Sequence, residues 1–372
     1  MKIGYDAKRL FTNFTGLGNY SRNLVSHYHR HYPEDELYLF SPKVIEDLRT
    51  KPFLEDTSYN IIQPKGVKPL WRSLDIVKDI YLSGAQIYHG LSHELPLGIS
   101  KLNIGKIVTM HDLIFKYFPH DYSWIDRQIY DRKWKHASMA ADSIIAISEQ
   151  TKSDLIHYYN VHPDKIKVIY QSADPVFSKT VHQEEMDASK KKYKIPDEYN
   201  LYVGSLISRK NLLSVIKAMI IIKEADRIPL VVIGNGNNYR KKVINAAIEG
   251  GIGHLLLWLG SPPFEDFPSI YKGAQMMIYP SFHEGYGLPV VEAMLTGIPV
   301  ITSNQSSLKE AGGDAAKLID PQKPEELAAA MLQIQFDFNL RNEMVRKGSL
   351  HVEKLAFANG IEQLQALYEA YR

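Results

Sequence analysis

Short apolar runs alternate along this chain with longer segments in which apolar residues recur at helical spacing. A strand pattern begins almost at once, at Lys2 to Asp6, and a helical pattern follows over residues 18–30. This alternation predicts parallel strands joined by helices that cover both faces of a sheet. The predicted strands are 2–6, 37–40, 59–63, 86–89, 106–110, 143–147 and 167–170, and then 201–204, 229–233, 255–259, 276–279, 299–302 and 316–319.

The alternation is interrupted once, at Pro175 and the polar run 178–192. We place a domain boundary there, with an N-terminal domain of residues 1–178 and a C-terminal domain of residues 179–354. Further helices are predicted from Pro324 and from Asn339, and an amphipathic helix ends the chain. The predicted fold class is α/β, with two doubly wound Rossmann-like domains facing across a cleft at the carboxyl ends of their strands.

Composition narrows the class of protein. The 372 residues include no cysteine, which excludes disulfides, thiolate metal sites and a cysteine nucleophile. The net charge of +2 does not suggest a nucleic-acid partner, and no apolar run is long enough for a membrane helix. The amino terminus enters a strand pattern directly, without a secretory apolar region, so a cytoplasmic location is expected.

The most informative segment lies between the strand at 276–279 and the following helical pattern. Glu284 and Glu292 bracket this turn, and Pro289 stands near the first turn of the helix, where its missing N–H costs nothing. Glycines between the carboxylates leave backbone N–H groups open at a helix N-terminus, which favours an anionic ligand. The pattern is typical of a pocket that binds hydroxyls and phosphates together.

Arg209 and Lys210 follow the first strand of the second domain. An isolated pair of cations usually belongs to a solvated loop. At the carboxyl end of a strand in a doubly wound domain, however, the same pair can bind a pyrophosphate, Arg through two-point contacts and Lys as a point charge.

Glycines at other strand ends suggest further contacts with a ligand. Gly16 and Gly18 open the first long helix, where a tight turn and a close approach to phosphate or sugar are both consistent with the sequence. Gly204 ends the first strand of the second domain, and Gly234 either ends a strand or forms a wall of the pocket for the base.

Two features of the N-terminal domain have both structural and functional interpretations. His111 ends the apolar strand 106–110, where it either is a satisfied structural residue or donates a hydrogen bond to a sugar hydroxyl. The segment 123–136 interleaves aromatic and basic residues on a predicted helix. Its tryptophans either pack inward or lie on a membrane surface, and the second case would make the protein peripheral to a membrane.

Taken together, these motifs resemble the retaining GT-B glycosyltransferases of family four, the group 1 glycosyltransferases. The resemblance covers essentially the whole chain, and its most specific part is Glu284 to Pro289 with Glu292 and Ala293. The details look most like bacterial mannosyltransferases of polysaccharide assembly. In related folds the closing helix, about 355–372 here, packs back on the N-terminal domain.

The resemblance implies a role for each candidate residue. The catalytic set would be Glu284 on the donor sugar's hydroxyls, Arg209 and Lys210 on the leaving diphosphate, and His111 lining the sugar site. Glu292 would hold the ribose hydroxyls. The donor-binding set is completed by Gly16, Gly18, Gly204, Gly234, Gly285, Tyr286, Gly287 and Leu288.

The implied reaction transfers a hexose from a nucleotide-diphosphate sugar to a glycan or lipid-linked saccharide. Mannose is the first expectation for the hexose, and the configuration at its anomeric carbon would be retained. GDP-mannose is the first expectation for the donor, with no cofactor and no metal. The alternatives are a sugar-nucleotide epimerase or hydrolase on the same fold, and a non-catalytic sugar-nucleotide-binding subunit. A nicotinamide-dependent oxidoreductase would need Gly-x-Gly-x-x-Gly directly after a strand, and neither domain has it.

Overall fold

The computed structural model describes residues 1–66, 68–355 and 357–372, except for the side chains of residues 357 and 358. The chain forms two compact units. The first is Met1–Gln171 with Phe357–Arg372, and the second is Ser172–Ala356. Residue 356, in the segment that precedes the closing helix, lies outside the described residues.

Helices join the strands throughout the described residues. The α-helices are α1 Lys8–Thr12, α2 Gly16–His31, α3 Lys51–Glu55, α4 Ile76–Ser83, α5 Ile114–Tyr117, α6 Trp124–Ala140, α7 Glu149–Tyr159, α8 Gln183–Tyr193, α9 Leu212–Ile221, α10 Asn238–Glu249, α11 Phe267–Lys272, α12 Leu288–Leu295, α13 Leu308–Gly312, α14 Pro324–Phe336, α15 Phe338–Lys354 and α16 Phe357–Glu369. Short 3-10 helices are Ile99–Lys101, Pro119–Asp121, Pro163–Lys165, Pro175–Ser178, Ser208–Lys210, Glu224–Asp226, Gly253–Leu255 and Phe264–Asp266.

The first unit contains a parallel sheet of seven described strands in the order β3-β2-β1-β4-β5-β6-β7. Its strands are β1 Lys2–Asp6, β2 Glu36–Phe40, β3 Tyr59–Ile62, β4 Ile87–Gly90, β5 Gly105–Met110, β6 Ser143–Ala146 and β7 Ile166–Val168. The strand order reverses between β1 and β4, and ligands of open α/β sheets bind at the carboxyl ends beside such a switch point.

Helix α16 belongs to the core of the first unit. Its buried residues Ile361, Leu364 and Tyr368 pack in one cluster with Tyr5 and Tyr28. Burial of Ile361 and of Leu364 contributes roughly 1.5–3 kcal/mol each by removing the side chain from water. The Tyr368 hydroxyl also lies 2.6 Å from the Nδ1 atom of His89, so its polar end is satisfied in the core.

The second unit contains a parallel sheet of six described strands in the order β10-β9-β8-β11-β12-β13. These strands are β8 Asn200–Val203, β9 Leu230–Ile233, β10 Leu256–Gly260, β11 Met277–Tyr279, β12 Val300–Ser303 and β13 Lys317–Ile319. The switch point here lies between β8 and β11. All the predicted strands are present, with ends that differ by at most two residues, and the predicted α/β class with two Rossmann-like domains is confirmed.

The polar run 178–192 differs from the simple break that its composition suggested. Most of it forms α8, which begins with a capping box in which Glu185 accepts from the His182 amide at 2.7 Å. The helix packs on α11, where the hydroxyls of Ser189 and Ser269 are 2.6 Å apart. The capping box and the contact with α11 thus stabilise a helix in a segment that is otherwise polar.

Residues 172–178 belong to the second unit, whereas the sequence placed them in the first. The reason is packing around Phe177, which is fully buried. Its ring lies 5.7 Å from that of Phe264 and 5.3 Å from that of Tyr271, both in the second unit.

The glycine loop after β1 has a structural role at Gly18. A Cβ atom there would lie 1.7 Å from the Asn13 carbonyl oxygen. The Gly18 amide donates to the Asn13 side chain at 3.1 Å, and the Thr15 amide donates to the same oxygen at 2.9 Å. The Gly18 amide thus has an acceptor within the loop, and close approach of Gly16 or Gly18 to a pyrophosphate stays a prediction. A Cβ atom on Gly16, by contrast, would meet open space, with nothing within 4 Å.

We predict that Gly18→Ala lowers the midpoint of urea unfolding of the first unit, because the methyl group displaces the Asn13 backbone at a cost of about 1–3 kcal/mol. Gly16→Ala is the matched control and should be neutral or slightly stabilising, since its methyl group meets open space. Circular dichroism and tryptophan fluorescence during urea titration measure both variants. Equal midpoints for the two would show that the close packing at Gly18 is not needed.

Candidate functional site

Two adjacent strands of the second unit end at the same place. β8 leads into the 3-10 helix Ser208–Lys210, and β11 leads into the turn that precedes α12. Because β8 and β11 are neighbours at the switch point, the loops that follow them meet at the carboxyl edge of the sheet. This topology brings Arg209 and Lys210 to Glu284, although the segments are far apart in sequence.

These three residues form a compact buried ion cluster. Arg209 Nη1 lies 3.0 Å from Glu284 Oε1, and Lys210 Nζ lies 3.1 Å from the same oxygen. The side chains of Arg209, Lys210 and Glu284 are 9%, 14% and 10% exposed. Ion pairs are screened much less in such a place than on the surface. The cluster holds two cations and one carboxylate, so it keeps a net positive charge for an anionic ligand.

Tyr279 completes the cluster and was not identified from the sequence. Its hydroxyl donates to Glu284 Oε1 at 3.0 Å and accepts a hydrogen bond from Lys210 Nζ. The Lys210 ammonium also lies 5.0 Å from the centre of the Tyr279 ring. Tyr279 lies in an apolar strand. The sequence alone does not distinguish a tyrosine that contacts charged groups there from one that only packs in the core.

Backbone contacts hold the two loops together around the cluster. The Phe282 amide donates to the Arg209 carbonyl at 2.9 Å, and the Arg209 guanidinium donates to the His283 carbonyl. The Asn211 side-chain amide donates to the carbonyls of Pro280 at 3.1 Å and Pro321 at 2.7 Å. The charged groups therefore stand on loops that are already fixed, as an electrostatic site requires.

The environment sets the charge of each group. Burial opposes ionisation of Glu284, but Lys210 and Arg209 outweigh it and hold the pKa of this carboxyl at about 2. Burial lowers the pKa of Lys210, while Glu284 opposes that change. Burial and the Arg209 charge lower the pKa of His283 to about 4, so His283 is neutral at pH 7.

The turn from Glu284 to Leu288 is held from outside by serines. The Ser307 hydroxyl lies 2.8 and 3.0 Å from the carbonyl oxygens of Glu284 and Tyr286 and shares its one proton between them. Ser306 donates to the Glu284 carbonyl at 2.9 Å and accepts from the Glu284 amide at 3.2 Å. The turn is thus fixed in front of α12, and the first N–H groups of an α-helix have no acceptor within the helix, which is the arrangement that binds anions.

Gly287 is required by the backbone. Its φ is +116°, in the region that favours glycine, and it is the residue before α12. A Cβ atom there would also lie 2.7 Å from Leu308. Gly285 and Tyr286 lie in the same turn, with Tyr286 buried.

Glu292 lies on α12 and has a different environment from Glu284. The Tyr271 hydroxyl donates to Glu292 Oε2 at 2.8 Å. Burial, together with the charge of Asp174, raises the pKa of Glu292 to about 7, while Tyr271 and Lys210 oppose this change. Two glutamates of one turn and helix thus differ widely in their affinity for a proton.

Gly204 and Gly234 act first as spacers between strand ends. A Cβ atom on Gly234 would lie 1.9 Å from the Gly204 carbonyl oxygen, and one on Gly204 would lie 3.1 Å from Lys210 Cδ. Gly204 therefore leaves room for the Lys210 side chain. Contact of either glycine with a nucleotide stays a prediction.

His111 is satisfied inside the first unit. Its Nε2 lies 2.9 Å from the Leu91 carbonyl, to which it donates, and its Nδ1 accepts from the Gln171 amide at 2.8 Å. Burial lowers its pKa to about 4, so the ring is neutral at pH 7. A hydrogen bond from Nε2 to a sugar would have to replace the one to Leu91. These contacts agree with the interpretation of His111 as a satisfied structural residue. The role of His111 in lining the sugar site stays a prediction.

A second charged network lies at the carboxyl end of β1, and sequence analysis missed it. Arg72 makes a two-point contact with Asp6, at 2.9 and 2.6 Å, and pairs with Glu94 at 2.9 Å. Lys133 pairs with Glu94 at 2.9 Å. The network borders a cavity of about 180 Å³. Its members lie far apart in sequence, so only the strand order reveals them.

Two parallel α/β domains of this topology, with a cation pair and a carboxylate at the switch point of one of them, define the GT-B class of glycosyltransferases. Residues 185–351 match the family described as glycosyl transferases group 1, and residues 14–177 match glycosyltransferase family 4. The chain is a glycosyltransferase and belongs to the group 1 glycosyltransferase family.

Individual relatives agree with this assignment. The chain is 28% identical over 395 residues to the O-antigen chain mannosyltransferase B of Escherichia coli, a match that covers 99% of this chain and 100% of that protein. It is 26% identical over 224 residues to the serotype-specific mannosyltransferase WbdA of Escherichia coli, covering 59% of this chain and 28% of that protein.

A solved structure shares the fold over the whole length. The crystal structure of Anabaena Alr3699/HepE in complex with UDP and glucose superposes with a TM-score of 0.76 at 15% identity, and the match covers 100% of both chains. Identity at this level carries information about the fold alone.

We predict that Glu292 makes folding less favourable as pH rises from about 4.5 to about 7. Its pKa is about 7 when folded, above the ordinary 4.5, so the folded state binds the extra proton in that window and loses this advantage as the proton leaves. The side chain of residue 292 cannot titrate in Glu292→Gln. The free energy of unfolding of this variant, relative to that of the wild type, should therefore rise by about 1–3 kcal/mol as pH rises through this range. Urea unfolding at pH 5 and pH 8 measures this difference. Parallel pH dependences in the two proteins would show that Glu292 titrates normally.

Proposed function

We propose that this glycosyltransferase moves mannose from a nucleoside-diphosphate mannose, GDP-mannose first, to a saccharide or lipid-linked saccharide acceptor in polysaccharide assembly. The observation that carries the proposal is the cluster of Arg209, Lys210 and Glu284 at the switch point of the second unit. It offers two fixed cations for a diphosphate and a carboxylate for sugar hydroxyls. The mannosyltransferase names of two relatives support the choice of sugar.

The charge balance of the reaction fits this cluster. Breaking the bond between the anomeric carbon and the diphosphate oxygen builds positive character on the sugar and negative charge on the leaving group. Arg209 and Lys210 would stabilise the leaving diphosphate, and preorganised charges of this kind often make the largest contribution to catalysis. We propose that these two cations serve in place of a metal ion.

We propose retention by attack on the same face of the sugar. The acceptor oxygen forms the new bond to the anomeric carbon as the diphosphate leaves, and the acceptor proton passes to the departing phosphate oxygen. Glu284 would not be the nucleophile, since Arg209, Lys210 and Tyr279 all bind its Oε1 oxygen. It would instead accept hydrogen bonds from sugar hydroxyls, and Glu292 would do so from the ribose.

We predict that the wild-type protein transfers mannose from GDP-mannose faster than it transfers a sugar from a UDP, ADP or dTDP donor. Arg209→Ala with Lys210→Ala should reduce transfer by about a thousandfold, because the leaving group loses two charge-assisted contacts in a buried site. Chromatography and mass spectrometry of the saccharide product measure the transfer, with circular dichroism as the check on folding.

The exposed cations Lys241 and Lys242 of α10 supply the matched control, and their double alanine variant should keep wild-type transfer. Release of nucleotide and free sugar without acceptor would favour a hydrolase, and conversion of the donor sugar would favour an epimerase. Binding without turnover of any donor would indicate a non-catalytic subunit. Transfer at wild-type rates by the double variant of Arg209 and Lys210 would overturn the proposed role of these cations.

We further propose that the first unit binds an anionic membrane surface through α6. Trp124, Ile125 and Ile129 near its start are 67%, 63% and 44% exposed. The exposed cations Arg132 and Lys135 continue along the same helix. This combination suits lipid head groups above an apolar layer. The other tryptophan of the helix packs inward, with its ring stacked 4.1 Å from that of His93.

In the described part of the chain, none of the helices combines the length and apolar character needed to cross a membrane. The proposed lipid-linked acceptor would be reached from the membrane surface that α6 is proposed to bind.

We predict that the protein sediments with vesicles of phosphatidylglycerol and phosphatidylethanolamine, and much less with phosphatidylcholine vesicles. Trp124→Ser with Ile125→Ser should reduce the bound fraction severalfold, since both exposed apolar side chains are lost. Ile248→Ser with Phe336→Ser, which removes two exposed apolar residues of the second unit, is the matched control. Equal sedimentation of both variants would exclude α6 as the contact.

A further inference from the structure

The two cations of the candidate site already have an anionic partner in the protein. Arg209 and Lys210 both bind Glu284 Oε1, at 3.0 and 3.1 Å, and the Tyr279 hydroxyl donates to the same oxygen at 3.0 Å. One carboxylate oxygen thus faces two cationic groups and one hydroxyl donor. A diphosphate that binds these cations must compete with that oxygen for them.

The competition is strong because the cluster is buried. None of the three charged side chains is more than 14% exposed, and hydrogen bonds between charged groups are stronger than neutral ones. An ammonium group has three donors and a guanidinium has five, and the donors directed at Glu284 Oε1 in this arrangement cannot serve a phosphate oxygen at the same time. Phosphate binding therefore weakens the contacts that Glu284 makes.

The complete sugar nucleotide and the free nucleoside diphosphate differ in the hydrogen-bond donors that they offer to Glu284. Under the proposed function, the hydroxyls of the donor sugar give the carboxylate new hydrogen-bond donors when it loses the cations. The free diphosphate supplies none, so a displaced Glu284 would keep the Tyr279 hydroxyl as a donor but would be left buried without a cation beside its charge, which is costly. The same carboxylate then favours the substrate and disfavours the product.

We propose that Glu284 is an internal counter-anion which competes with the nucleoside diphosphate for Arg209 and Lys210 and thereby promotes product release. This inference rests on the proposed function and adds a second role for the carboxylate. It involves an exchange of hydrogen-bond partners only, with no bond made or broken and no proton transferred.

Tyr279 is the positioning residue of this exchange. Its hydroxyl accepts from Lys210 Nζ and donates to Glu284 Oε1, so it stabilises the paired arrangement from both sides. Its ring also stays near the ammonium group when the hydroxyl is removed, because the cation lies 5.0 Å from the ring centre. Tyr279→Phe therefore weakens the pair without emptying the space.

The test is calorimetric titration of GDP into the full-length protein, with UDP as the second probe. Glu284→Gln keeps the size of the side chain but removes the competing charge. We expect it to bind the nucleoside diphosphate about tenfold more tightly than the wild type, equivalent to about 1.4 kcal/mol, while losing transfer. Glu249→Gln, which removes an exposed charge at the end of α10, controls for the general loss of negative charge and should bind as the wild type does.

Tyr279→Phe should raise the affinity for the diphosphate by a smaller factor, about two- to fivefold. Adding it to Glu284→Gln should give no further gain, since the two residues act on one interaction. Tyr202→Phe is the matched control, because the Tyr202 hydroxyl donates to the Lys210 backbone carbonyl at 3.2 Å and not to the side chains of the cluster. A purely structural role of Tyr279 would not produce this non-additive gain.

Equal or weaker binding of the diphosphate by Glu284→Gln would overturn the inference. Transfer by the wild type would in that case still support the proposed function, so the two failures are distinguishable. A wild type that neither binds a nucleoside diphosphate nor transfers a sugar would overturn both.

Discussion

The buried contact of Glu284 with Arg209 and Lys210 is the interaction on which the arrangement of the second unit's site depends. Removing one member of a buried ion pair typically costs several kcal/mol, because the remaining charge has left water without compensation. Here the cluster also fixes the position of two loops that come from different strands. The ion pairs and the backbone contacts around them therefore support each other in holding these two loops together.

The strand order explains why the cluster can exist. β8 and β11 are neighbours only because the sheet reverses its order between them, and their carboxyl ends point to one edge. Small residues then make room at this edge. Gly234 permits close approach of the Gly204 carbonyl, and Gly204 leaves space for the Lys210 side chain. The two glycines therefore help to position Lys210 indirectly, because they allow the ends of the strands to pack closely.

The strands and the charged residues of the site could be predicted from the sequence, because both follow local patterns. Apolar runs mark strands, and charges just after them mark the functional edge. Partners from distant segments could not be predicted. Tyr279 has the sequence pattern of a core residue, although its hydroxyl donates to Glu284. The Gln171 side chain donates to Nδ1 of His111, which lies sixty residues away in sequence. A glycine pattern likewise has several physical causes: Gly18 is needed because backbone lies against it, which no local pattern reveals.

The two glutamates show how environment divides one residue type into two chemical roles. Burial acts on both, but Glu284 has two cations beside it and stays ionised, with a pKa of about 2. Glu292 has a hydroxyl as its hydrogen-bond donor and the charge of Asp174 nearby, and its pKa is about 7. Near neutral pH, Glu284 is therefore only an acceptor of hydrogen bonds, whereas Glu292 is protonated in part of the molecules and then donates as well. Glu284 and Glu292 are the same type of residue, but they differ in protonation because the neighbours of each carboxyl group set its pKa.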